Sequence, residues 1–432
     1  MGSIAEPETL VRRAAMSAAT RGTGPPVILL GGEANALSVA RQLGRQGVPV
    51  LVIGELDSST RSSRYCRGIS VPGTGAAEDV WSRFLLGPES DHLVGSVVLA
   101  CSDPGIRVLA RHRDALLARY KLDACEPGAQ LVMLDKLRTY QHAAAAGVPT
   151  PGFWVAQTRQ QIMAIRDALV FPLLVKPRLS HIFEQRFGSK YVLAAKFEQL
   201  MDAFEMTSAA GIDVLLMEWI PGADDTLCSY YTYVDDEGTP LFDFTKRIIR
   251  RYPTGMGAAS YHVTDWVPQI VPLAQKLLKE VGLRGVANLE FKWDQRDGEY
   301  KLIECNARFT ASNALVASSG CDVASFVYNR IVGRSPLPPD GYKWGRRLWD
   351  PVRDFWAFME LRKRGELTTA QWVRSILHRQ TFPYFNWSDP LPAVARAIKP
   401  LRRWLRNRRP PTVVHSESPG TGTAPSPTAG GV

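Results

Sequence analysis

Residues 285–312, GVANLEFKWDQRDGEYKLIECNARFTAS, restrict the fold more than any other stretch of the chain. Two runs of alternating polarity flank Asp294-Gln295-Arg296-Asp297-Gly298, a loop whose Asp and Gly tolerate the backbone angles of a hairpin. The pattern predicts two strands joined by a tight turn. Side chains alternate along a strand, so Asn288 and Glu290 share a face of the first, and Glu304, Asn306 and Arg308 share a face of the second. Pairing the strands brings Glu290 to that same face. Two carboxylates and a carboxamide make an all-oxygen set suited to Mg²⁺, and an Arg beside them suits phosphate. On an isolated hairpin the same residues would be an ordinary solvated face, so the assignment depends on the rest of the chain.

Upstream, the apolar runs 27–30 and 48–53 enclose a helical pattern, a β-α-β opening that signals a parallel sheet. Strands at 94–100 and 130–134, with a helix beginning near Pro104, extend it into a doubly wound domain over 25–134. Its first turn, Gly31-Gly32-Glu33-Ala34-Asn35-Ala36, lacks the G-x-G-x-x-G spacing of a dinucleotide site. Asp135 caps a helix that Gly147 and Pro149 close. An α+β region follows, with strands at 171–177, 191–194, 214–220, 226–234 and 241–249, and helices at 158–169, 196–209, 266–281 and 322–332. Residues 178–190 read as a polar loop.

The chain has 432 residues, enough for two or three domains, and no apolar run of membrane-spanning length is expected. Its six cysteines are scattered without C-x-x-C spacing, which fits a reduced, cytoplasmic protein. The net charge of +10 is local: residues 341–409 carry 16 Lys and Arg against 5 Asp and Glu, with six of the eleven Trp. Residues 335–409 therefore read as a basic, Trp-rich helical region. It is either packed on the body or in peripheral contact with an anionic membrane, at the inner face. No nucleic-acid-binding fold is recognisable, so no such partner is expected. Residues 1–24 and the Ser/Thr/Pro/Gly-rich 410–432 read as disordered.

Several upstream residues carry chemistry. Lys176 ends the apolar strand Leu-Leu-Val-Lys-Pro, where a cation is costly unless an anion meets it, as an ion pair or as phosphate. Met217-Glu218-Trp219-Ile220-Pro221-Gly222 runs from strand to turn and leaves backbone groups free to read a flat base, with Asp224 and Asp225 within reach of a sugar. Of the basic strand end Lys246, Arg247, Arg250 and Arg251, alternation places Lys246 and Arg250 on one face, as candidates for a substrate carboxylate.

In this order, Asp135-Lys136, LLVKP at 173–177, MEWIPG at 217–222, NLEF at 288–291 and IECNAR at 303–308 resemble the ATP-grasp superfamily. Within it the chain looks closest to carboxylate–amine ligases related to the carbamoyl-phosphate synthetase large chain and D-aspartate ligase. The resemblance implies two α+β subdomains clasping ATP over 135–334, preceded by a Rossmann-like domain. It implies that Lys136 and Lys176 hold phosphates and that the backbone at Glu218, Trp219 and Ile220 meets adenine. Asp224 or Asp225 would meet the ribose. Glu290, Glu304 and Asn306 would hold Mg²⁺, with Mn²⁺ as the alternative ion, and Arg308 would steady the transferring phosphoryl group. The loop RLSHIFEQRFGSK departs from the small-residue lid of the family; only Gly188-Ser189-Lys190 is similar, which leaves Lys190 as its nucleotide contact and His181 as a solvated loop residue. The implied activity joins a small-molecule carboxylate to an amine through an acylphosphate, releasing ADP and phosphate. A kinase using the same site and a non-catalytic nucleotide-binding scaffold, membrane-associated or not, are the other readings.

Overall fold

The computed structural model describes residues 24–177 and 191–407, with backbone alone for 177 and 401–407. The expected extensions at 1–24 (apart from Gly24) and 410–432, and the loop with His181 and Lys190, lie outside the described residues.

Strands β1 (Val27–Leu30), β2 (Val50–Ile53), β3 (Arg67–Ile69), β4 (Val97–Ala100) and β5 (Lys121–Leu122) form a parallel sheet ordered β3-β2-β1-β4-β5. Every side chain of the central β1 is fully buried, as a parallel strand covered on both faces requires. Helix α1 (Glu33–Arg45) covers one face, and α2 (Ala77–Leu86) with α3 (Asp103–Arg111) covers the other. Strand order reverses between β1 and β4, which opens a crevice beyond their carboxyl ends. There Gly31 and Gly32 adopt φ of 85° and 83°, and a Cβ on Gly31 would lie 2.2 Å from Ser102 Oγ. Only glycine fits that approach.

The run 130–134, expected as a strand, is instead the end of helix α4 (Pro127–Leu134). Burial falls on Ala129, Val132 and Met133, a helical spacing, and Pro127 pre-sets the first turn. So short an apolar run has no period of its own to separate the two states. Helix α5 (Lys136–Ala145) follows, with the Asp135 carboxylate accepting from Leu137 N–H and Arg138 N–H at 3.0 and 3.3 Å.

Two further sheets, antiparallel except for one parallel pair at the edge of the larger, then enclose a cleft. The smaller has the order β6-β9-β7-β8, from β6 (Phe153–Val155), β7 (Leu173–Pro177), β8 (Val192–Ala194) and β9 (Val214–Glu218), with α6 (Phe197–Ala209) packed through Leu200, Ala203 and Phe204. The larger contains β10 (Leu227–Val234), β11 (Phe244–Tyr252), β12 (Ala258–Thr264), β13 (Gly285–Asp294), β14 (Glu299–Asn306), β15 (Arg347–Trp349) and β16 (Gln380–Thr381). Its order is β14-β13-β10-β11-β12-β15-β16. Helix α7 (Ile270–Val281) buries Ala274, Leu277 and Leu278 beneath it. Helices α8 (Asn313–Ser318) and α9 (Val323–Ile331) share one core with α1, so the first domain and the larger sheet are packed together.

The basic region is helical, as α10 (Pro351–Lys363), α11 (Thr369–Ile376) and α12 (Leu391–Asn407), but it also supplies β15 and β16 to the edge of the larger sheet. Two buried aspartates fasten it. Asp354 accepts from Arg250 Nε and Nη2 at 2.8 and 2.9 Å, from Ser260 Oγ, and from the indoles of Trp349 and Trp372. Asp389 accepts from Arg41 Nε at 2.9 Å, Ser63 Oγ at 2.7 Å and Arg64 N–H at 3.0 Å. Truncating one partner of a buried pair strands the other charge, at about 3–5 kcal/mol. Asp354→Ala should therefore lower the unfolding free energy by an amount in that range, read from urea denaturation; a loss within experimental error would show that the network carries no load.

Candidate active site

Strand register builds the floor of the cleft. Thr264, Lys246, Ser229, Glu290 and Glu304 are successive cross-strand partners from β12 to β14. Partners in register project side by side, so these side chains form one row. A second row holds Phe244, Tyr231, Asn288 and Asn306. Asn306 Nδ2 donates to Glu304 Oε1 at 3.2 Å, and Lys246 Nζ donates to Ser229 Oγ at 2.9 Å. Facing this floor, Lys136 from the first turn of α5 donates to Glu304 Oε2 at 3.0 Å. Lys176 enters from β7 and lies 5.9 Å from the centre of the Tyr191 ring.

The charges shift one another. Lys136 holds the Glu304 carboxyl down at about 2, while burial and the neighbouring Glu304 push Glu290 up. Glu304 in turn holds the Lys136 ammonium above its usual range, whereas burial and Lys136 together push Lys176 down to about 7. Lys136 and Glu304 keep 31% and 38% of their side chains exposed, so water in the cleft screens their pair and limits its contribution to stability. Burial likewise lowers Lys246.

At one end of the cleft, residues 217–220 line a slot together with Leu174, Lys176, Leu227, Arg251 and Lys292. Lys292 Nζ donates to Ile220 O at 2.9 Å and Gly222 O at 3.0 Å, and lies over the Trp219 ring. Trp219 N–H donates to Pro172 O, and the Glu218 carboxylate is held by Gly152 N–H and Arg296. Among the described residues the Ile220 N–H has no acceptor, and Ile220 lines the slot.

Residues 260–334 match the family described as carbamoyl-phosphate synthase L chain, ATP binding domain. D-aspartate ligase from Enterococcus faecium is 22% identical over 350 residues, 74% of this chain and 81% of that protein. D-alanine–D-alanine ligase from Stutzerimonas stutzeri is 28% identical over 190 residues, and the match spans just 56% of that ligase. Among solved structures, N5-carboxyaminoimidazole ribonucleotide synthetase in its ADP complex superposes with a TM-score of 0.59 at 15% identity, covering 76% of this chain and 82% of that one. The chain has the ATP-grasp fold.

The ATP-grasp cleft gathers Lys136, Lys176, Glu290, Glu304 and Asn306 around one floor, with Glu218, Trp219 and Ile220 at its end. Arg308 sits at the opposite end, where its Nε donates to Asp103 Oδ1 at 2.7 Å, in the first turn of α3. Asp224 is already engaged, accepting from Arg251 Nε at 2.6 Å and from Gly255 N–H at 3.0 Å, whereas Asp225 beside it is exposed.

One pairing read from alternation fails. A β-bulge shifts the β11 register between Ile248 and Arg250, so Arg250 no longer shares the face of Lys246. It is sealed against Asp354, while Arg251 lines the slot in its place. Arg251 and Lys292 were missed as site residues. Lys292 was recoverable, since it lies two positions beyond Glu290 in the same strand; Arg251 was not, because an unpaired strand shows no bulge. The six thiols are unpaired, and burial raises all of them, which disfavours a thiolate nucleophile.

The donor set fits a hard divalent cation. Glu290 and Glu304 are like charges in direct register, a repulsion that a cation relieves, and the buried Asn288 Oδ1 in the adjoining row has no partner among the described residues.

Because burial and Lys136 push the Lys176 ammonium down to about 7, a phosphate seated against it would draw a proton onto it at higher pH. ADP affinity, measured calorimetrically at fixed Mg²⁺, should fall as pH rises from 7 to 9, with a limit of about tenfold per unit for one linked proton. Lys176→Arg, whose charge does not titrate, should flatten the profile; an unchanged slope would remove Lys176 from the phosphate site. Lys292→Met should weaken ADP about tenfold by releasing the 217–222 turn, the equivalent of about 1.4 kcal/mol.

Proposed function

We propose that this ATP-grasp protein is an ATP-dependent carboxylate–amine ligase. The observation that carries the reading is the row Lys246–Ser229–Glu290–Glu304 facing Lys136 and Lys176, with an open backbone donor at Ile220. Such a site offers positioned charge and no covalent catalyst, which is what phosphoryl transfer demands. The family match and the ligase relatives support the same activity.

Adenine would lie along residues 218–220, with Asp225 at the ribose. Lys136 and Lys176 would take phosphate oxygens, Lys136 exchanging its pair with Glu304 for the incoming anion. Glu290, Glu304 and Asn306 would hold Mg²⁺ or Mn²⁺, which would supply positive charge against the phosphates. A substrate carboxylate oxygen bonds to the γ-phosphorus as the bond to the β-phosphate oxygen breaks, and ADP leaves. The amine nitrogen then bonds to the acyl carbon, the carbon–oxygen bond to phosphate breaks, and the amine gives up a proton. Arg308, at the first-domain end, would steady the phosphoryl oxygens. Lys246 and Arg251 replace the Lys246–Arg250 pair as cations on the cleft face. The likeness to D-aspartate ligase makes amino acids the first candidates for the carboxylate.

Screening ADP release over paired panels of amino acids and amines tests the proposal. ADP should form only when an acid and an amine are both present. ADP release with a stable phosphorylated product and no amine requirement would identify a kinase instead. Glu304→Gln should reduce turnover by at least about a hundredfold, the scale of a lost electrostatic group. Unchanged turnover would refute the catalytic floor and favour a nucleotide-binding scaffold.

A further inference from the structure

Helix α10 is apolar on two opposite faces, and the protein covers one of them. Asp354, Ala357 and Phe358 point inward and are buried. On the far side Val352, Phe355, Trp356 and Met359 follow the helical spacing with exposures of 65%, 42%, 51% and 41%. A helix apolar all round belongs in a buried setting, and a contiguous exposed stripe of this kind marks a surface that something else covers. The ring of Phe355 meets Trp372 of α11 edge-on, so α10 and α11 present their outer faces together.

The charge around the stripe decides what covers it. Four of the five acids in 341–409 are turned inward or tied down: Asp350 caps α10, Asp354 pairs with Arg250, Glu360 holds Thr254 and Arg364, and Asp389 pairs with Arg41. Glu366 alone is left exposed outside such a contact among the described residues. Arg362 and Lys363 continue the exposed face of α10 by one turn, and Arg374 and Arg379 are exposed on and just beyond α11. None of these four pairs with a described carboxylate. The outer surface is therefore cationic around an aromatic and aliphatic stripe.

We propose that the outer face of α10 and α11 docks on an anionic phospholipid surface. The stripe enters the headgroup layer while Arg362, Lys363, Arg374 and Arg379 meet lipid phosphates. The contact is peripheral, since no described helix is long and apolar enough to cross a membrane. A second copy of the chain is disfavoured, because like faces would bring their cations together. A nucleic acid would satisfy the cations yet leave the stripe in water. The proposal does not depend on the ligase reading.

Co-sedimentation of the full chain with large vesicles tests it. Binding should be strong with mixed phosphatidylcholine–phosphatidylglycerol vesicles and absent with phosphatidylcholine alone. It should weaken as salt is raised, as surface electrostatics require. Trp356→Ser combined with Met359→Ser should weaken binding at least about tenfold, as loss of buried apolar area predicts. Arg362→Glu with Lys363→Glu changes only exposed positions, so it tests the face even if the first variant folds poorly, and it should weaken binding comparably. The proposal is overturned if the unaltered chain ignores the anionic vesicles, if it binds both vesicle types equally, or if both variants bind as it does. It is also overturned if the chain dimerises in sedimentation equilibrium and Trp356→Ser abolishes the dimer.

Discussion

Glu290 and Glu304 are forced side by side by strand register, and much of the site follows from that repulsion. Two carboxylates in one cross-strand pair destabilise a sheet unless cations answer them. Lys136 answers Glu304 directly, and Lys246 reaches the same row from the other side, through Ser229. Among the described residues Glu290 has no such direct cationic partner, and burial together with the neighbouring Glu304 pushes its carboxyl up. Under the proposed function, a metal ion and nucleotide phosphate would complete the balance, the cation relieving the carboxylates and the phosphates occupying the lysines.

Rigidity around that floor comes from several buried polar contacts at a distance. Lys292 ties the 217–222 turn to β13, so the strand that carries Glu290 also fixes the slot at the end of the cleft. Arg308 ties the end of β14 to the first turn of α3, where the Gly31-Gly32 turn and Ser102 line the crevice of the parallel sheet. The slot at residues 217–220, the carboxylate row and the first-domain crevice are thus spaced along two adjacent strands. Displacing β13 or β14 would move all three.

The basic C-terminal region belongs to this framework. It contributes two edge strands, and its acids serve the interior: Asp354 neutralises the arginine that the β11 bulge turns inward, and Asp389 locks α12 against α1 through Arg41. Lys399 is placed among Glu33, Glu55 and Asp57, beside the β1 crevice. Spending the acids internally leaves an outer surface with an excess of cations, so fold stability and surface charge have one origin.

Local alternation and turn chemistry made the 285–306 hairpin legible, with Glu290, Glu304 and Asn306 on one face, because side-chain direction in a strand depends only on sequence parity. The same rule led to Lys246 and overreached at Arg250, because a bulge exists only where two strands are mismatched in length. Asp135 and Gly147 marked the ends of the helix that carries Lys136, since caps are local chemistry. The 130–134 run was misread as a strand because its state is set by what packs on it. The sequence alone determined which residue types stand at which parity, and hence a cleft able to take a metal and a phosphate. Only the tertiary structure decided which cations face that cleft, which acids are consumed inside, and which face of α10 is left uncovered. Those outcomes depend on contacts between residues far apart in the chain, and no local period encodes them.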